Sequence, residues 1–241
     1  TLAAVVLFYG PMLVCLLLME SDALMSSQEE SFKADRDRPS VISDYKESIR
    51  YVRSSRGISA AILTIAIIST FGFPVVQQII VFAEEVFEVS PFLFGLLGSA
   101  QGIGAVLAVP LVTGYVSFMK PSVQQLIATV GYGFAVMIFA LAPSYTVAFC
   151  SLGILGIMHL ISASNLNSVV QLQVDEEMRG RVMAIYLVGV LGPAPFAGLA
   201  MGWLVSAFGP RLVVALSGSI LAFLAVVLWF RGKFSDLNST T

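Results

Sequence analysis

The side chain best placed to do chemistry is His159. It is the chain's one histidine and lies near the middle of an apolar run, about 144–170, that also holds Ser162, Ser164, Asn165, Asn167 and Ser168. Imidazole changes charge between about pH 5 and 8 without perturbation. Inside an apolar run it is either a group that meets substrate or a proton, or a neutral histidine hydrogen-bonded across a helix interface. Both readings stay open. His159, Ser162, Ala163 and Leu166 share one helical face, and Ser162 and Asn165 join His159 as cavity candidates. One histidine with no cysteine or acid nearby cannot complete a metal's ligand set, so no metal is expected.

Three amides form a second group. Gln77 and Gln78 follow Pro74, which removes a backbone donor and should kink its helix. The carbonyls freed by the kink need partners from neighbouring helices or a water-filled cavity. The two glutamines face that cavity, or they sit at the membrane interface and meet headgroups. Gln101 lies between Gly98 and Gly102, a small-xxx-small pair that predicts close approach of another helix. No strand or helix start frames these glycines, so they are not a phosphate cradle.

The third group is the charged turn QLQVDEEMRGR, with Asp175, Glu176, Glu177, Arg179 and Arg181, followed at once by VMAIYLVGVLGPAPFAGLAMG. Gly192, Pro193, Pro195 and Gly198 predict a helix that bends and packs tightly. The acids and arginines are gate candidates, charge pairs made in one conformational state and broken in another. No acid lies well inside any apolar run, so no carboxylate proton relay is visible. Nor does the chain offer a nucleophile–base set, HExxH, CxxC or P-loop. Neither an enzyme nor a cofactor is expected, and no nucleic acid is expected as partner.

These groups need elements to hold them, and the composition says which. Of 241 residues, 57% are hydrophobic and 12% charged, with a mean hydropathy of +0.90. Soluble domains carry about twice that share of charge, ~25%. Seven apolar runs stand out, at about 1–19, 58–82, 91–116, 122–142, 144–170, 182–207 and 211–230. Each reaches the ~20 residues a helix needs to cross the bilayer. They are too long and too little alternating for barrel strands. The fold class is therefore an all-α polytopic membrane protein. Cys15 and Cys150 fall in apolar runs and are expected buried and inert.

If every run crosses, all of the thirteen lysines and arginines except Arg211 fall on one side. That side is expected to be cytoplasmic. Residues 20–57 become a cytoplasmic loop. Its helix 43–55, with Tyr45, Ile49 and Val52 on one face, either lies along the inner membrane surface or is a solvated connector. Residues 231–241 become a cytoplasmic tail. The chain starts inside an apolar run without a methionine, which reads as a fragment lacking an N-terminal part.

At QLQVDEEMRGRVMAIYLVGVLGPAPFAG the sequence resembles the C-terminal half of a major facilitator superfamily transporter. The likeness is to its drug- and siderophore-exporter branch, which includes transmembrane secretion effectors. SDYKESIRYVRSSRGISAAIL and FGLLGSAQGIGAVLA resemble the connector into helix seven and helix eight of that family. The resemblance implies that the seven runs are helices six to twelve. It places helix six, 1–19, at the end of the N-terminal half, 20–57 as the central loop, and 58–230 as the six-helix C-terminal half. Helices seven, eight, ten and eleven would line a cavity, with nine and twelve outside. Alternating-access export of a drug, siderophore or metabolite across the inner membrane is then expected, with the lipid bilayer, a small-molecule substrate and the missing half as partners. A coupling proton is a candidate. A non-transporting sensor or scaffold on the same fold is the alternative. Two departures stand out: Val174 replaces a usual proline, and GYVSFMKPS keeps only Gly114 and Lys120 of the family's inner-gate motif.

Overall fold

A computed structural model describes residues 41–114 and 118–238. The expected span at 1–19 and the polar stretch 20–40 lie outside the described residues. Residues from Glu47 onward form one compact unit. Among the described residues all regular structure is helical.

Helix α1 runs Val41–Ser54, where the sequence predicts one at 43–55. Six stretches after it are long and apolar enough to cross a membrane. The first, Arg56–Val86, is broken: α2 is Arg56–Phe71, α3 is Phe73–Gln77, and the stretch ends in a π-turn at Phe82–Val86. Then follow α4 (Pro91–Thr113), α5 (Pro121–Leu141) and α6 (Tyr145–Gln173). The sixth run is split into α7 (Arg179–Leu191) and α8 (Pro193–Phe208), and α9 is Pro210–Phe230. Four of these helices start on proline, whose fixed φ and missing N–H suit the first helical position. At α4 the Ser90 hydroxyl also caps the Leu93 N–H at 3.5 Å.

Apolar side chains cover the outside as well as the core, and a few polar groups lie inside. Gln125, Thr129, Ser162 and Asn165 are buried, while Phe92, Val106, Phe223 and Phe230 stand on the perimeter. Hydrocarbon outside cannot satisfy an amide, so polar groups must find one another within. Cys150 is exposed on this perimeter, not buried as its apolar setting suggested.

The helices are interrupted at both places where a bend is expected. Past Gly72, Pro74 has no N–H to continue the ladder, and the Val75 N–H turns to Gly72 O at 3.2 Å. The Phe71 carbonyl thereby released accepts the Ser217 hydroxyl of α9. At the second bend α7 closes with Gly192 N–H to Val188 O at 2.8 Å, and α8 begins afresh at Pro193.

Close helix contact is made by other glycines than the pair expected. A methyl on Gly98 or Gly102 would meet nothing within 4 Å among the described residues. The tight crossings are Gly104 and Gly156 between α4 and α6, where an added Cβ would run into Gly153 O or Gln101 O. Gly133 of α5 and Gly218 of α9 form the other, each 2.6 Å from the other's carbonyl if given a Cβ.

Candidate substrate cavity and gate

The long helix α6 carries polar groups on two faces, and its neighbours divide them. Toward α5, Asn165 Nδ2 donates to Gln125 Oε1 at 3.0 Å and to Pro121 O at 3.0 Å. Gln125 Nε2 donates to Ser162 Oγ at 2.6 Å and to Thr129 Oγ1 at 2.9 Å. Gln125 is 0% exposed. An unpartnered amide there would cost about 1–3 kcal/mol, so this cluster fixes how α6 is rotated against α5. It also takes Ser162 and Asn165 away from the cavity. Both were expected there, and both serve helix packing instead.

The other face opens on a cavity of ≈480 Å³. Its wall holds His159, Ser164, Asn167 and Ser168 of α6, Tyr186 of α7 and Ile65 of α2. Gln101 Nε2 of α4 lies 3.2 Å from His159 Nδ1. The contact puts an amide and an imidazole within hydrogen-bond reach across the α4–α6 crossing. Tyr132 meets the same ring edge-on, with centroids 5.8 Å apart. Gly156 makes this possible, since its missing Cβ lets α4 bring Gln101 one turn from His159.

Gln77 and Gln78 are not at this cavity. Gln77 is exposed and its side chain covers Gly198 of α8. Gln78 is buried, and its amide has no hydrogen-bond partner among the described residues. Pro195 lies in the first turn of α8 and is exposed.

At the end of the bundle that carries α1, the charged turn divides. The Tyr51 hydroxyl donates to Asp175 Oδ2 at 2.9 Å and accepts the Asp175 N–H at 3.0 Å. Partial burial, and secondarily the neighbouring carboxylate, hold the Tyr51 phenol above its usual range, so it remains a donor at neutral pH. Arg181 Nη1 lies 3.2 Å from Glu47 Oε2. Glu176, Glu177 and Arg179 are exposed and make no ion pair among the described residues. The tail closes the same end: Phe234 and Leu237 are buried, and Asn238 Oδ1 accepts the Ser122 N–H at 3.0 Å, capping α5.

Three helices thus converge on a partly polar cavity, and cross-links tie α1 to the turn before α7. A profile for transmembrane secretion effectors matches residues 3–240. The chain belongs to the transmembrane secretion effector family of the major facilitator superfamily. Among curated relatives of this family member, the enterobactin exporter EntS of Salmonella choleraesuis (strain SC-B67) is 29% identical over 143 residues, 58% of this chain and 34% of that protein. Among solved structures, a bacterial homologue of the human lysosomal transporter Spinster, inward-facing and unoccupied, superposes with a TM-score of 0.61 at 20% identity. That match covers 72% of this chain and 42% of the other. The chain therefore spans about a third of the curated relative. The relatives are transporters, and the fold is a multi-pass membrane bundle.

Sequence reasoning passed over Tyr186, Ser164, Asn167, Ser168, Tyr51, Glu47 and Gln125 as site residues. The adjacent amides Gln124 and Gln125 in the 122–142 run were a readable sign for Gln125. Nothing local marks Tyr51 or Tyr186, which matter only through distant partners.

Proposed function

We propose that this chain is the six-helix C-terminal half, with the last helix of the N-terminal half, of an exporter that moves a small molecule by alternating access. The observation that carries the proposal is the His159 cavity, where hydroxyls, an amide and an imidazole line a space within membrane-crossing helices. Such groups are costly in hydrocarbon and are kept for a pathway. A second half of the transporter would close the cavity and alternate its opening. In this reading α1, the Asp175–Arg181 turn and the tail face the cytoplasm of a bacterial cell, because the cationic residues gather there. The inner membrane is the setting, and proton exchange at His159 is the coupling chemistry.

The test is substrate flux in vesicles containing the full-length protein, compared with His159→Ala across pH. A changed or flattened pH profile supports the reading. A wild-type profile with wild-type rate removes His159 from it.

A further inference from the structure

Beside the break between α2 and α3 lies a second cavity of ≈450 Å³. Its wall includes Phe71 of α2, Met201 and Leu204 of α8, and Leu212, Leu216 and Ile220 of α9. Its only hydroxyls belong to Thr70 and Ser217. Thr70 donates to Ala66 O at 2.7 Å and Ser217 to Phe71 O, so both hydroxyl protons are already committed. The space therefore offers a ligand no free hydroxyl donor.

We propose that this cavity holds an acyl chain of a bilayer phospholipid. An apolar cavity of this kind stays dry, and its size falls within the range of small-molecule sites, about 300–1,000 Å³. Its rim names the occupant. Leu212, Leu216 and Ile220 are exposed on a helix apolar enough to cross the membrane, so the mouth opens onto hydrocarbon rather than water. Next to Leu212 stands Arg211, at the end of the span, exposed and donating to Ala142 O at 3.1 Å. It is the one cation the charge pattern puts on that side of the membrane. A guanidinium suits a phosphate, and this one sits where a headgroup would end. The occupied cavity would also brace the bend at Gly72, since Phe71 is in its wall. None of this depends on transport, so it can fail while the exporter reading stands.

The experiment reconstitutes the full-length protein in phosphatidylglycerol vesicles containing a phospholipid with a diazirine on one acyl chain. After irradiation, labelled peptides are mapped. We expect label concentrated on 197–220, severalfold lower in Ala200→Trp, which fills the cavity, and lower in Arg211→Gln. Val226→Trp, on the α9 perimeter and outside the cavity wall, should leave the pattern unchanged. Label spread evenly over the exposed helices, or undiminished by Ala200→Trp, overturns the proposal. So does an equal loss with Val226→Trp. Full labelling of Arg211→Gln overturns the phosphate contact.

Discussion

Tyr51 and Asp175, 124 residues apart in the chain, exchange two hydrogen bonds: phenol to carboxylate at 2.9 Å and backbone N–H to phenol oxygen at 3.0 Å. The contact joins α1 to the turn that launches α7. Because it is exposed, it adds little to stability. Tyr51→Phe should cost at most about 1 kcal/mol of unfolding free energy yet lower transport by the full-length protein. Thermal unfolding and vesicle flux, measured together, check this. A large loss of stability with flux intact would make the contact structural only.

Arg181 and Arg179 should separate. Arg181 faces Glu47 across 3.2 Å, whereas Arg179 makes no ion pair among the described residues. Arg181→Glu should slow flux, and adding Glu47→Arg should restore part of it. Arg179→Glu should leave flux near wild type. An equal effect from both single variants would point to net charge at the turn rather than to the pair.

The Gln125 cluster should matter for stability before transport. Gln125→Leu removes the amide that joins Ser162, Thr129 and Asn165 and leaves Asn165 its bond to Pro121 O, a loss of about 1–3 kcal/mol. A lower unfolding midpoint in detergent is expected, with substrate affinity of the folded fraction unchanged. An unaltered midpoint would mean the helices repack without it.

The tail should behave as part of the fold. Leu237 is 2% exposed and Gln173 donates to its carbonyl at 3.3 Å. Leu237→Ala should cost about 2–5 kcal/mol, as in other buried positions. Asn238→Ala, which removes the α5 cap, should cost about 1 kcal/mol. Chemical denaturation of both variants checks the order. Equal, negligible effects would show that the tail does not hold the bundle's end.

The spans were legible because a bilayer demands long apolar runs, and the prolines at 91, 121, 193 and 210 mark where helices start. Both bends were legible from Pro74 and Pro193, since a missing N–H is a local fact. The rotation of α6 was not. Its polar residues occupy both faces, and only Gln125 on another helix decides that Ser162 and Asn165 turn inward while Ser164, Asn167 and Ser168 meet the cavity. The glycines failed for the same reason. Spacing made Gly98 and Gly102 candidates, but contact depends on which neighbour arrives, and Gly104 and Gly156 received it.

The crossing of α5 and α9 has a consequence for variation. Gly133 and Gly218 each press on the other's carbonyl, so neither has room for a methyl, and changing one cannot make space for the other. In a saturation library of the full-length protein, every substitution at either position should drop out at the level of protein abundance. No second-site partner at the other glycine should bring it back.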